Sequence, residues 1–369
     1  EEGINYQIES KYRREIRMNE QQFGIYSSLE TFIEQEIFRE LCSNIFGIGV
    51  TNKIEGIDGA LGTHPGLKRK RNEDRLAVGS ITLNNNLIYC AILCDGVGGS
   101  AFGDLASSLA IATIFGYLST ENTNEHLQKK IKNAVLYADK TIQDKLLGDG
   151  ATTLSLLVAS SSGEIYALNI GDSRIFSWEP SKKALTQVSC DDTIENEVSK
   201  LNIKDKTALE AFGLKGTLSQ ALGESNRNSN DLNFVFYDKS YFNEGFILVS
   251  DGAWKDSETS FSKVIKNAAN SLDVVRRTLA LATWCGGTDN SSIIAFSSNP
   301  VLTTENKNFR HNHSNIIIGD TKYSFLNEKT NIKRTSISYK NKKKPPTKLK
   351  KDDTNSKEIT IVPIGNNDK

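Results

Sequence analysis

Four aspartates stand where apolar runs end or begin. They occur as Cys94-Asp95-Gly96, Ile170-Gly171-Asp172, Val249-Ser250-Asp251-Gly252, and Thr288-Asp289-Asn290 ahead of Ser291–Phe296. A fifth acidic group, Glu73-Asp74, precedes the short apolar stretch Leu76–Val78. If the strands that carry them are neighbours, these carboxylates converge at one rim. Two like charges about 4 Å apart repel by roughly 4 kcal/mol at an effective dielectric of about 20. Four or five of them would outweigh the ~5–15 kcal/mol that stabilises an ordinary fold. Such a set must be protonated, spread apart or neutralised by cations, and hard oxygen donors of this kind suit Mg²⁺ or Mn²⁺. Taken singly, each Asp-Gly reads equally well as a turn with a solvated cap. Their recurrence at strand ends favours the cation.

The elements that must position these residues are legible in the pattern. Leu87–Cys94 is a continuous apolar run, the mark of a strand buried on both faces. Thr153–Ala159 and Glu164–Ile170, joined by Ser160-Ser-Ser-Gly163, read as a hairpin. Phe246–Ser250 and Ser291–Phe296 are further short strands, with two helical patterns between them at about 260–270 and 272–284. Asp104–Leu118 is an Ala/Ile/Leu-rich helix. Glu125–Leu147 is amphipathic, its stripe formed by Leu127, Ile131, Val135, Ala138, Ile142 and Leu146. Residues 1–44 form an accessory leader with one amphipathic helix, carried by Leu29, Phe32, Ile33, Ile37 and Leu41. Lys182–Asn243 is polar and irregular, a long surface insertion. After Pro300 the periodicity stops, so 300–369 reads as a basic, flexible tail around the 45–299 domain, with short β-like pieces at Ile316–Ile318 and Ile359–Val362.

The 369-residue chain is 38% hydrophobic, enough for a sizeable core, and its formal net charge of zero conceals two halves. Residues 301–369 carry 15 Lys/Arg against 7 Asp/Glu, leaving 30 basic and 38 acidic residues in the first 300. The tail lacks interleaved aromatics and a folded basic face, which disfavours nucleic acid as a partner. No stretch approaches the roughly 18 apolar residues that span a bilayer. Five scattered cysteines indicate a reducing compartment, with the cytoplasm as the expectation.

Six motifs occur in one order: Gly66-Leu-Lys-Arg69-Lys-Arg-Asn-Glu73-Asp74, Asp95-Gly-Val-Gly-Gly99, Gly150-Ala-Thr-Thr-Leu154, Gly171-Asp-Ser-Arg174, Ser250-Asp-Gly252 and Gly287-Thr-Asp-Asn290. Weaker echoes are Leu185-Thr186 and Leu218-Ser-Gln-Ala-Leu-Gly223. In this series the chain resembles the metal-dependent protein phosphatases of type 2C, bacterial type, over roughly residues 45–298. The resemblance implies an α+β fold, a β-sandwich of two antiparallel sheets flanked by α-helices, with a binuclear Mg²⁺ or Mn²⁺ centre at one end. It implies hydrolysis of phosphoserine and phosphothreonine on proteins by a metal-activated water, on substrates made by a serine/threonine kinase. Carried over by position, Asp95 resembles the ligand bridging two metals, and the Gly96 carbonyl binds one of them. Glu73 and Asp74 belong to the metal shell, and Asp251 and Asp289 complete it. Asp172, with Asp251, resembles the holder of a third, weaker metal. Arg69 matches the phosphate-binding arginine, whose planar fork suits a bidentate grip. Asp95 then repels phosphate only without metal.

One position departs from many members: Val97 follows Asp95-Gly96 where they carry a histidine. His64 lies near the Arg69 motif but reads as an exposed loop residue. Gly96-Val-Gly98-Gly-Ser-Ala101 also fits a dinucleotide fingerprint. The acid expected about 20 residues on is Glu121, which follows a helix rather than a strand. Gly-Lys-Ser/Thr is absent, and no cysteine has an arginine six residues on, which excludes P-loop and cysteine-phosphatase chemistry. Cys90 and Cys94 read as packing thiols. A non-catalytic phosphoprotein-binding module would be expected to lose metal carboxylates, and none is replaced.

Overall fold

The computed structural model describes residues 8–9, 18–43, 45–54, 57–83, 86–120, 125–200, 214, 216–225, 227–228, 231–300 and 313–326. The basic run after Lys340 and the β-like piece Ile359–Val362 lie outside them.

Alternation within the apolar runs decides the layers. On β5 (Asn86–Cys94), Leu87, Tyr89, Ala91 and Leu93 point one way and Ile88, Cys90, Ile92 and Cys94 the other. The first set meets a second sheet, the second set meets helices, and all eight are buried. That is why the run carries no polar alternation. The sheet around β5 has the order β1 (Ile8–Glu9), β14 (Thr321–Leu326), β13 (His313–Ile318), β4 (Arg75–Leu83), β5, β6 (Leu154–Ser160), β7 (Ile165–Ile170), β10 (Phe236–Asp238). The second sheet runs β2 (Val50–Ile54), β3 (Gly59–His64), β12 (Ser291–Phe296), β11 (Gly245–Val249), β8 (Arg174–Glu179), β9 (Ala184–Gln187). Every pairing within them is antiparallel. The sandwich core joins Leu76, Leu93 and Leu157 of the first sheet to Leu61, Phe246, Leu248 and Phe296 of the second. This is the α+β sandwich that the resemblance implies.

Helices cover both outer faces. Against the first sheet lie α4 (Gly103–Leu118) and α5 (Leu127–Leu146); the α5 stripe from Leu127 to Leu146 is buried as its spacing predicts. Against the second lie α8 (Glu258–Lys266) and α9 (Ser271–Trp284), through Phe261, Ile265, Val274, Val275 and Leu279. Among the described residues shorter helices fall at α3 (Ile45–Ile48), α6 (Ile194–Lys200) and α7 (Asp251–Trp254).

Among its described residues the leader holds two helices, α1 (Glu20–Ser27) and α2 (Phe32–Leu41), rather than one. Thr31 and Glu34 form a capping box that starts α2: Glu34 N donates to Thr31 Oγ1, and Thr31 N donates back to the Glu34 carboxylate. Ile33, Ile37, Phe38 and Leu41 then join the core cluster of α4 and the first sheet. The region read as tail also contributes: β13 pairs with β4 and adds a hairpin to the sheet. Ile316, Ile318 and Phe325 are buried there, on alternate positions that a short window around Ile316–Ile318 shows only in part. The irregular stretch after Lys182 is likewise anchored. Thr152 and Leu222 exchange backbone hydrogen bonds at 3.0 and 2.9 Å. Gly223 N donates to the buried Asp139 carboxylate at 2.8 Å.

Candidate active site

Antiparallel register brings the motifs to one rim. Arg75, first in β4, faces Cys94, last in β5; Leu154, first in β6, faces Ile170, last in β7. In the second sheet Val249 faces both Arg174 and Ile293, and Ser291 faces His64. Each Asp just beyond these ends therefore projects at the same end of the sandwich. There a cleft of about 520 Å³ is lined by Arg69, Glu73, Asp95, Gly96, Asp172, Asp251, Lys255 and Asp289, among others. Asp74 lies beneath it, fully buried.

Backbone contacts hold this rim tightly. Asp95 N donates to Thr153 Oγ1 at 3.0 Å, while Thr152 Oγ1 and Thr153 N donate to the Asp95 carbonyl at 2.9 and 2.8 Å. This is the work of the Gly150-Ala-Thr-Thr motif. Ser107 of α4 donates to the Glu73 carbonyl at 2.8 Å. A Cβ on Gly96 would lie 2.6 Å from the Gly103 carbonyl carbon and 2.8 Å from Glu73 Cβ, so only glycine fits. A Cβ on Gly252 would collide with the Asn290 carbonyl, which keeps the Asp251 and Asp289 loops in contact.

Asn290 is a positioning residue to which the sequence assigned no role. Its Oδ1 accepts from Glu73 N at 2.8 Å, and its Nδ2 donates to the Pro65 and Arg71 carbonyls at 2.7 and 2.9 Å. It staples the Arg69–Asp74 loop to the turn that carries Asp289 ahead of β12. Arg174 of the Gly171-Asp-Ser-Arg motif grips Asp191 through Nε and Nη2 and lies 3.3 Å from the Trp254 ring centroid. Lys255 is a further residue at the rim with no role in the sequence reading. Its ammonium lies 3.0 Å from Asp251 Oδ2 and 4.0 Å from Asp172 Oδ2. The i,i+4 spacing of Asp251-Gly-Ala-Trp-Lys255 is the sequence signal that points to it.

The electrostatics of the rim are those of an acidic site in need of positive charge. Burial pushes the Asp74 carboxyl up to about 7, with the charges of Asp251 and Asp289 adding to it and the nearby Ser292 and Ser250 side chains opposing it. Burial also raises Asp95 well above the carboxylate range, aided by the charges of Asp74, Asp251, Asp172 and Asp289. Asp172 rises to about 6 through burial and the Asp251 charge, which Lys255 partly offsets. Glu73 rises through burial and the charge of Asp104. Side-chain cations answer part of this: Arg69 Nη2 lies 2.6 Å from Asp289 Oδ2.

These donors fit divalent metal. Asp74 Oδ2 accepts from Ser250 Oγ at 2.9 Å, but the buried Oδ1 has no hydrogen-bond partner, an acceptor left open in a dry setting. Among the described residues neither imidazole nor thiol lines the cleft, so its donor set is hard oxygen. Among the described residues no three His, Cys, Asp or Glu side chains already form a ligating group. Asp289 and Asp251 are turned to Arg69 and Lys255 instead. His64, the nearest imidazole in sequence, accepts from Gly66 N through Nδ1 at 3.0 Å and lines a separate cavity with Trp284. Val97 lines the cleft wall.

Comparison with known proteins identifies the family. Residues 62–285 match the family model described as protein phosphatase 2C. The chain is 26% identical to the serine/threonine phosphatase stp of Listeria welshimeri over 249 residues, which are 64% of this chain and 94% of that protein. It is 25% identical to protein phosphatase PhpP of Streptococcus pneumoniae over 244 residues, 64% of this chain and 96% of PhpP. In fold it resembles the Mycobacterium tuberculosis serine/threonine phosphatase PstP/Ppp, with a TM-score of 0.52 at 22% identity, over 68% of this chain and all of that one. The chain belongs to the protein phosphatase 2C family of serine/threonine phosphatases, in its bacterial form.

Proposed function

We propose that this protein hydrolyses phosphoserine and phosphothreonine monoesters on proteins, the products of a serine/threonine kinase, in a cleft loaded with two divalent cations. The observation that carries this reading is the buried, unpartnered Asp74 Oδ1 beneath a rim of carboxylates whose affinity for protons is raised. Protons and metal ions compete for such a rim. A PstP catalytic domain of similar fold (TM-score 0.51, 22% identity) binds two manganese ions, which supports the same loading here.

Asp95, Asp74, Glu73, Asp251 and Asp289, with the Gly96 carbonyl, would hold the two cations, Mg²⁺ or Mn²⁺; Asp172 with Asp251 is the place of any third. Bound there, the cations supply Lewis-acid activation of water and neutralise phosphate charge. The protein's own groups do the rest. Arg69 is half-exposed at the mouth of the cleft, with its guanidinium 3.3 Å from the place a Cβ on Gly98 would take. Released from Asp289, it grips two phosphate oxygens and turns the ester toward the rim. The tight Asp95–Gly96 turn presents the Asp95 carboxylate, which would serve the cations, while Thr152 and Thr153 fix its backbone. Val97 lines the cleft beside it, and among the described residues no imidazole does.

The test is direct. Turnover of p-nitrophenyl phosphate and of a phosphothreonine peptide is measured with Mn²⁺, with Mg²⁺ and after EDTA. Metal-dependent turnover of both substrates is the expected result. Turnover that persists in EDTA, or its absence at saturating metal, refutes the reading; the second result would instead fit a phosphoprotein-binding module.

A further inference from the structure

Lys255 lies where two of the cleft's carboxylates, Asp172 and Asp251, meet. It follows α7 directly, four residues after Asp251, so both side chains rise from the same helical face. Its ammonium is 3.0 Å from Asp251 Oδ2 and 4.0 Å from Asp172 Oδ2, a carboxylate delivered by a different element, the β7–β8 turn. Asp172 and Asp251 keep only 14% and 16% of their side-chain exposure, whereas Lys255 keeps 50%. The positive charge thus plugs the pair from the solvent side. We propose that Lys255 is a resident cation that takes the place of a third divalent ion between Asp172 and Asp251, so that the cleft loads two metals and not three. This rests on the reading of the cleft as a metal-dependent phosphatase site.

The physical argument is one of exclusion. A divalent ion bound to both carboxylates would share their oxygens with an ammonium at contact distance, and like charges that close repel. Lysine presents a compact point charge on a stem tied to the same helix as Asp251, so its local concentration at the site is permanent. A free ion held by only two protein carboxylates must displace it. The tethered charge therefore wins at ordinary metal concentrations.

The experiment is Mn²⁺ binding to the full chain by equilibrium dialysis, with free Mn²⁺ read by its paramagnetic resonance signal. Wild type is expected to bind two ions per chain. Lys255→Ala should bind a third, with that site tightened by about tenfold or more relative to wild type. Lys255→Gln serves if the alanine variant does not fold. Lys255→Arg, which keeps the charge, should again bind two. Asp172→Asn in the Lys255→Ala background should abolish the third. If wild type binds two and Lys255→Ala binds two with unchanged affinity, the inference is wrong. A fall in kcat/KM at unchanged stoichiometry then makes Lys255 a substrate contact. Three ions in wild type overturn it equally. If wild type binds no Mn²⁺, the phosphatase reading itself fails, and this inference fails with it.

Discussion

The guanidinium of Arg75 donates through Nε to the carbonyl of Leu41 at 2.7 Å, joining the last turn of the leader helix to the loop that carries Asp74. Arg75 Nη1 donates at the same time to the Asn72 and Asp74 carbonyls, at 2.7 and 2.8 Å, and the guanidinium stacks over Phe46. Asn72 ties the same loop to α3 by donating to the Phe46 carbonyl at 3.0 Å. The leader lies outside the residues matched to the family, 62–285. It is nonetheless bonded to the backbone of the candidate metal shell.

Replacing Arg75 tests that bond. Arg75→Met keeps much of the stem but leaves buried carbonyls unpaired, a loss of about 2–4 kcal/mol. Urea denaturation of the metal-free protein should show it. Mn²⁺ affinity, measured well below the denaturation midpoint, should weaken as well, because the Asn72–Asp74 backbone loses its donor. Unchanged Mn²⁺ affinity would show that the leader supports the fold alone.

The raised carboxylates set a pH dependence whose sign can be worked out. Asp74 and Asp172 have folded pKa values of about 7 and about 6, above the ordinary value of 3.8. Between about pH 4 and pH 7 the unfolded chain has lost these protons while the folded chain keeps them. Stability of the metal-free protein therefore falls as pH rises through that window and levels off above it. Saturating Mg²⁺ should flatten the decline, since the metal replaces the protons. Glu34, buried against α4 and raised to about 7, contributes a slope of the same sign that metal leaves untouched. Thermal melts from pH 4 to 8, with and without Mg²⁺, and on Glu34→Gln, separate the two.

Asp95→Asn, Asp251→Asn and Asp289→Asn should each lower Mn²⁺-dependent turnover by about a thousandfold or more, equivalent to roughly 4 kcal/mol of lost transition-state stabilisation. The metal-free melting temperature of Asp95→Asn should hold or rise, because one of several repelling carboxylates has gone. A variant of normal activity would remove that residue from the metal shell.

Arg69→Ala should lower kcat/KM by about ten- to a hundredfold, mainly through KM, as a charged hydrogen-bonded contact to ground-state phosphate is lost. Removing it also frees Asp289 from its 2.6 Å ion pair. Mn²⁺ affinity should therefore hold or improve while substrate affinity falls. Equal loss of both would make Arg69 a structural residue.

Local sequence determined the elements and the identities of the chemical groups. Leu87–Cys94 could only be a strand buried on both faces, and the helical stripe of Leu127 to Leu146 could only face a core; both lie where their periodicity put them. Asp95, Asp172, Asp251 and Asp289 were identifiable because each abuts such a run. That they share one end of the molecule required antiparallel register in both sheets, a matter of long-range pairing that no window of sequence contains. Tertiary structure alone decided what surrounds them. Asn290 acts across 217 positions on Glu73, and Arg75 across 34 on Leu41, so neither role has a local signature. The same holds for β13 and β14: a hairpin that reads as part of a tail becomes sheet only because the free edge of β4 offers unpaired backbone donors and acceptors. Lys255 stands between the two cases. Its spacing from Asp251 is written in the chain, but its approach to Asp172 exists only once the β7–β8 turn is folded against α7.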